Sequence, residues 1–140
     1  MRNRIVVAAF VALAGSAACA QDEPTATASP DPGIAITLKD FAIVPAEPEA
    51  AAGRIRFELT NDGPSDHRFA LVRTDLPEDA LPVADHVVEV GSLEVVAEIE
   101  RISFEAEHLL AVELDAGDYV MLCTIAGHYE SDMHASFTVT

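Results

Sequence analysis

The sequence of 140 residues lacks tryptophan, has few cations and contains no long apolar run. No stretch approaches the roughly 20 consecutive apolar residues that a membrane-spanning helix requires, so we expect the mature chain to be water-soluble. Lys and Arg number 8 against 24 Asp and Glu, and so acidic a chain is a poor match for the phosphate backbone of nucleic acids. These absences argue against a membrane-embedded protein and against a nucleic-acid-binding protein.

Cysteine is equally scarce, with Cys19 and Cys123 as the two examples. Cys19 lies in an N-terminal segment with the character of an export signal, so the remainder of the chain keeps one thiol and cannot form an internal disulfide. In an oxidising compartment an unpaired thiol is buried, dimerised, reactive or bound to metal. Cys123 is therefore a candidate functional residue.

The first twenty residues have the layout of an export signal. Two arginines precede an apolar stretch at residues 5–14, and small residues follow at 15–18. Cys19 comes next and resembles the lipidated cysteine of a bacterial lipoprotein, whereas ordinary cleavage would leave Gln21 as the first residue. We expect an exported protein, held at the cell surface if Cys19 is lipidated and otherwise periplasmic or extracellular.

Residues 21–33 are polar and rich in Pro, Thr, Ala and Asp, which predicts a flexible linker. Residues 34–140 are long enough for one domain, expected to be monomeric. Six of the eight Lys and Arg and all 24 acidic residues follow the signal, so the exported part carries a net charge of −18. This charge favours docking to a cationic surface, with solubility as the simpler explanation.

From residue 34 onward, short segments alternate apolar and polar residues with the period of two that half-buried strands show. In these segments His67 shares the inward-facing parity with Phe69, and Cys123 shares it with Met121. At least six such strands without alternating long helices predict an all-β fold, an antiparallel β-sandwich. A long connection is expected at residues 75–102, in which 75–81 could form a helical turn and 93–102 fits a strand or a helix.

The segment after the Cys123 strand carries three potential metal donors. Cys123, His128 and Met133 follow one another at the spacing C-x4-H-x4-M. Two His and one Cys with a weak axial Met form the ligand set of electron-transfer copper, because thiolate and thioether suit Cu(I) while imidazole serves both oxidation states. His67 is the natural second histidine, since it points inward just after an Asn-Asp-Gly turn.

This combination resembles the cupredoxin family of small blue copper proteins. The resemblance rests on an N-x-G-x-x-x-H segment at 61–67, a D-x-G-x-Y turn at 115–119 and the Cys-His-Met loop, whose spacing is most similar to rusticyanin and the sulfocyanins. It covers about residues 33 to 140. The resemblance implies a Greek-key β-sandwich with one copper ion bound by His67, Cys123, His128 and Met133, and a one-electron carrier rather than an enzyme.

Several residues depart from that family pattern. Asp132 stands where such loops often have Gly, and a carboxylate there would favour Cu(II) and lower the potential. Ala126 replaces a frequent Pro, which predicts a slightly less rigid loop. His86 and His108 match no family position and are expected at the surface, and His134 is expected to be exposed on the opposite face from Met133.

Other functions remain open at this point. The chain could bind copper as a surface store or chaperone without transferring electrons, or Cys123 could act as a nucleophile with His128 as its base in a thiol hydrolase. For an electron carrier we expect a partner with a basic surface, such as a c-type cytochrome or an oxidase domain. It would dock near His128 on an apolar patch of Ile125, Ala126 and Tyr129.

Overall fold

The computed structural model describes residues 33–140; the predicted export signal, Cys19 and residues 21–32 of the linker lie outside the described residues. Within residues 33–140, no helix is long and apolar enough to cross a membrane. The strands are between two and nine residues long, and turns separate the alternating segments. In chain order they are β1 (Ile34–Lys39), β2 (Ala42–Pro45), β3 (Glu49–Ala50), β4 (Gly53–Asn61), β5 (His67–Arg73), β6 (Val83–Ala84), β7 (Val87–Val88), β8 (Glu94–Ile102), β9 (Glu107–Leu114), β10 (Gly117–Leu122) and β11 (His134–Val139), with short 3₁₀ helices at Val90–Ser92 and Tyr129–Ser131.

Two mixed sheets form the domain. One has the strand order β2-β1-β4-β9 and the other β3-β11-β10-β5-β8, while β6 and β7 form a separate hairpin. Most neighbours are antiparallel, but β1 pairs with β4, and β3 with β11, in parallel. The predicted all-β sandwich is confirmed. The parallel pairs join strands that are not consecutive in the chain. The alternation of apolar and polar residues within a strand does not indicate which strand it pairs with.

The main core lies between the two sheets. Phe57 of β4 and Phe137 of β11 meet there edge to face, with ring centroids 5.3 Å apart. The residues on the predicted inward parity of β4, β5 and β10 belong to this core, and His67 and Cys123 lie at its end. Burying each large apolar side chain contributes roughly 1.5–3 kcal/mol, so the donors adjoin the part of the domain that contributes most to its stability.

A second, smaller core covers the outer face of β5 and β10. Residues 74–93 fold over this face, which the alternation alone would leave to solvent. The remainder of the expected long connection is not a loop, because residues 94–102 form β8 against β5. The possible helical turn at 75–81 is instead a hydrogen-bonded turn at 77–80. The buried members of this second core are Ala70, Val72, Leu81, Val88, Val120, Leu122 and Tyr129.

Candidate metal centre

Three of the four predicted ligands meet at one end of the sandwich, where β5 begins and β10 ends. One donor atom each from His67, Cys123 and His128 lies within 4.8 Å of the others. The Cys123 Sγ is 3.6 Å from the His128 Nδ1, and the two imidazole ring centroids are 5.4 Å apart. Within residues 33–140, no other cluster of three or more His, Cys, Asp or Glu is close enough to hold a metal ion.

Met133, the fourth predicted ligand, is fully buried and packs in the same core as Cys123. Its amide donates a hydrogen bond to the His128 carbonyl at 3.0 Å, and its carbonyl accepts one from the Cys123 amide at 3.1 Å. Two backbone hydrogen bonds therefore tie the start, middle and end of the loop together. These bonds fix the backbone of Met133 in the loop that carries Cys123 and His128, and its thioether is a soft, weak donor.

The turn before β5 explains the N-x-G-x-x-x-H pattern. Asn61 is fully buried, and its side-chain amide donates to the carbonyls of Ser65, at 2.8 Å, and Ile102, at 2.9 Å. Its side-chain oxygen accepts from the Gly63 amide at 3.0 Å, which is the local turn that Asn readily forms. Asn61 thus fixes the path of the chain that delivers His67 into the interior.

Gly63 leaves room for a close contact next to His67. A Cβ atom at this position would lie 2.6 Å from the Asp40 Oδ1 and 3.1 Å from the His67 Nε2. Because real Cβ atoms do not approach other atoms so closely, any larger residue would push Asp40 away from the histidine. In the structure the His67 Nε2 lies 3.3 Å from the Asp40 Oδ1.

His67 is held in a setting that favours its neutral, metal-binding form. Its side chain is fully buried, and neither ring nitrogen has a hydrogen-bond partner of good geometry among the described residues. Burial is the main cause that lowers the pKa of His67; the charge of His128 adds to this effect, and Asp40 partly offsets it. A buried nitrogen without a partner is costly, and a bound metal ion would remove that cost at Nδ1.

Cys123 is likewise shielded from water. Its thiol is fully buried, and burial raises its pKa, while the backbone amide of Arg68 lowers it in part by pointing at the sulfur. The amide nitrogen lies 3.5 Å from Sγ. Reactive cysteines are partly exposed and have lowered pKa values, so this thiol has the features of a metal ligand rather than of a free nucleophile.

The second core supports the ligand loop from outside. The Tyr129 hydroxyl donates to the Glu78 carbonyl at 2.8 Å and accepts from the Leu81 amide at 2.9 Å. The turn of the β6–β7 hairpin adds a second tie, because the His86 carbonyl accepts from the Gly127 amide at 2.7 Å. Residues 74–93 therefore brace the loop that carries Cys123, His128 and Met133.

Two expectations about this loop are wrong. Tyr129 does not frame the surface around His128, since it is only 5% exposed and faces residues 78–81. His134 is not exposed either: its side chain is 11% accessible, and its ring lies 4.9 Å from the Tyr129 ring, centroid to centroid. Both errors arise because the folded segment 74–93 covers a sheet face that was expected to meet solvent. His86 is at the surface as predicted, with 78% of its side chain exposed.

Asp132 has a backbone role in the described structure. It adopts the left-handed conformation, with φ of 70°, and its amide donates to the Tyr129 carbonyl to end the short helix. Gly occupies such positions most easily and Asp tolerates them, which accounts for the Gly that related loops often carry there. The Asp132 side chain is exposed.

An aromatic side chain that the sequence analysis did not predict, Phe41, lies beside His128. Asp40 and Phe41 form the two-residue turn of the β1–β2 hairpin, in which Lys39 pairs with Ala42. Phe41 has a φ of 64°, and its ring lies 5.7 Å from the His128 ring. Phe41 is 53% exposed, so it, rather than Tyr129, lies with Ala126 at the surface around His128. The contact is not visible in the sequence because 87 positions separate the two residues.

The donor set fits a soft or borderline transition-metal ion. A thiol, two imidazoles and a thioether are all present, and the side chains of His67 and Cys123 are fully buried. The fully buried donors come from a strand and from a loop whose backbone is tied at both ends. The site can therefore hold a metal while changing its ligand positions little.

Comparison with solved structures places this arrangement in a known class of fold. The chain matches reduced auracyanin from Roseiflexus castenholzii with a TM-score of 0.57 at 19% identity, over 77% of this chain and 96% of the other. It matches auracyanin A from Chloroflexus aurantiacus, described as a "blue" copper protein, with a TM-score of 0.53 at 21% identity, over 76% and 99%. The fold is that of the cupredoxins.

A third neighbour has the same fold. Rusticyanin from Thiobacillus ferrooxidans matches with a TM-score of 0.54 at 17% identity, over 76% of each chain. No family model and no curated protein sequence matches this chain. At these identities the likeness establishes the fold, and the argument for chemistry rests on the donor cluster.

Proposed function

We propose that the chain is a blue copper protein that carries single electrons. The observation that carries this proposal is the convergence of His67, Cys123 and His128 donor atoms within 4.8 Å. This cluster sits at the end of a cupredoxin fold, with Met133 buried beside it. Auracyanin A, which is similar in fold, is described as a "blue" copper protein.

In this site copper would supply reversible exchange between Cu(II) and Cu(I). The protein's part is to hold the donors where both oxidation states accept them. His67 is fixed by the strand register, and Cys123 and Met133 by the closed backbone of the loop. Full burial of these three side chains excludes water, so few ligands need to move when an electron passes.

The other candidate functions have less support. A thiol hydrolase would need an exposed, readily ionised thiol, whereas burial raises the pKa of Cys123. Surface copper stores often use exposed runs rich in Met and His, and the chain has 3 Met and 5 His without such a run. Electron transfer by bound copper is the function that accounts for the buried thiol, the two histidines and the buried methionine together.

Export and anchoring are part of the proposal. The export signal in residues 1–20 would carry the domain out of the cytoplasm, and a lipid on Cys19 would hold it at a membrane through the polar linker. Native protein should then partition with membranes, and Cys19→Ala should release it or block processing. A native N-terminus mapped to Gln21 would show that no lipid anchor exists.

We further propose that electrons pass near His128 to a partner with a basic surface. His128 is partly exposed, unlike His67, and the exposed side chains of Phe41 and Ala126 lie around it. The strong negative charge would steer a basic cytochrome toward this end. The rate of reduction should fall steeply as ionic strength rises from 0.01 to 0.15 M, which shortens the Debye length from about 30 Å to about 8 Å. A flat rate would mean that the acidic surface serves solubility.

The function is tested by adding Cu(II) to the purified metal-free protein. One equivalent should produce an intense visible thiolate-to-copper band, which a one-electron reductant should bleach and an oxidant restore. Zn(II), which has no redox chemistry, is the matched control and should give no visible band. Tight copper binding without a reversible visible band would favour the storage function, and no binding would reject both.

A further inference from the structure

The β1–β2 turn brings a carboxylate into contact with the buried histidine. Asp40 lies at the first position of the two-residue turn, and its Oδ1 is 3.3 Å from the His67 Nε2. Both atoms are buried and neither has another hydrogen-bond partner among the described residues. Each is therefore the available partner of the other.

Three further observations indicate that the carboxylate is built into this position. The second oxygen, Oδ2, accepts a hydrogen bond from the Ser65 hydroxyl at 3.2 Å. The Asp40 side chain is 31% exposed, so water can solvate the outer part of the carboxylate. Gly63 leaves the space that it occupies, because a Cβ at residue 63 would also lie 2.7 Å from the Asp40 backbone nitrogen.

We propose that Asp40 is a positioning residue that accepts a hydrogen bond from the Nε2–H of His67 and so keeps Nδ1 free to bind the metal. Histidine ligands commonly donate their second ring N–H to a carboxylate or carbonyl, which fixes the tautomer and strengthens the donor. A full negative charge on that partner also favours the more highly charged metal ion. The effect on potential rests on the proposed copper function, whereas the effect on the tautomer does not.

The proposal separates two carboxylates near the site. Asp132 follows the ligand loop closely in sequence, but its side chain is exposed and its structural role is the left-handed turn. Asp40 is remote in sequence and yet contacts a ligand directly. Asp40→Asn and Asp132→Asn remove the same charge with little change of shape, so they form a matched pair.

The first measurement is made on the metal-free full chain. Nitrogen-15 NMR of the His67 ring, at a pH where it is neutral, should show the proton on Nε2 in the wild type. The ring should shift to a mixture of tautomers in Asp40→Ala, with Asp40→Leu, which also lacks an acceptor oxygen, as the second variant if the alanine protein does not fold. A proton on Nδ1 in the wild type, or the same tautomer population in the variants, would overturn the proposal.

The second measurement is the reduction potential of the copper-loaded proteins. Asp40→Asn should raise the potential, by 59 mV for each tenfold loss of Cu(II) affinity relative to Cu(I), and Asp132→Asn should raise it by less. Equal shifts would remove the special role of Asp40. If the wild type forms no visible copper band, the proposed function fails, while the NMR result still decides the role of Asp40.

Discussion

The candidate metal centre draws on two regions that are built differently, the strand that supplies His67 and the loop that supplies Cys123, His128 and Met133. His67 begins β5 and is fixed by strand register, by the Asn61 turn and by its contact with Asp40. The loop has no strand partners of its own, so it is held by its closing hydrogen bonds and by residues 74–93. One metal site can therefore combine a donor that is positioned by a sheet with donors that are positioned by tertiary contacts.

Alanine variants of the two histidines should respond differently to added imidazole. His67 is fully buried, whereas His128 is partly exposed. Both His67→Ala and His128→Ala should lose most of the visible copper band, because each removes one of the strong donors. Added imidazole should restore the band far more readily in His128→Ala. Titration with imidazole checks this, and equal recovery would contradict the assigned difference in access.

Removing a contact between residues 74–93 and the ligand loop should lower the local stability of the loop more than that of β5. Tyr129→Phe deletes a hydroxyl that bridges the Glu78 carbonyl and the Leu81 amide. Leaving the buried Leu81 amide and the partly buried Glu78 carbonyl without this partner should destabilise the domain by about 1–3 kcal/mol, measured by denaturant unfolding. Amide hydrogen exchange should speed up in residues 74–93 and in the loop before it does in β5. Tyr119→Phe, which also removes a hydroxyl bonded to a backbone carbonyl, is the control for a distant tyrosine.

The strand that carries His67 was more predictable from the sequence than the support of the ligand loop. The inward direction of His67 and Cys123 could be predicted because side chains alternate between the two faces of a strand, and the residues that face the core are apolar. The support from residues 74–93 could not, since this segment has no period and becomes ordered by packing on the outer face of β5 and β10. The Asp40 contact was also out of reach, because it depends on how the β1–β2 turn meets β5 in space.

The thioether donor of the loop should affect the potential more than the binding of copper. Met133→Leu keeps a buried apolar side chain of similar volume and removes the thioether, a weak donor to Cu(II). The variant should keep its copper and its visible band, and its potential should rise by tens of millivolts, since a tenfold change in relative affinity corresponds to 59 mV. Voltammetry measures this shift, and an unchanged potential would remove Met133 from the site.

Acid should destabilise the metal-free protein through the strand histidine. Because the pKa of His67 is lowered in the folded state, mainly by burial, folding favours its neutral form. This contribution is complete above the unfolded pKa of about 6.5 and is lost as the pH falls below it. The loss can reach at most about 1.4 kcal/mol per pH unit for one proton.

Denaturant midpoints of the metal-free protein between pH 7.5 and 5.5 measure this slope. His67→Leu should flatten it, whereas His108→Gln, which changes a histidine of β9 away from the site, should keep the wild-type slope. A steep slope that survives in His67→Leu would assign the acid sensitivity to other groups.

The most direct test of whether strand and loop form one copper site is the spectrum of Cys123→Ser beside that of the wild type. Cys123 is the one cysteine in the described chain and lies 3.6 Å from the His128 Nδ1, so it alone can give a thiolate-to-copper band there. After addition of one equivalent of Cu(II), the wild type should show the intense band and the serine variant should show none. A band that persists in Cys123→Ser would contradict the assignment of the site.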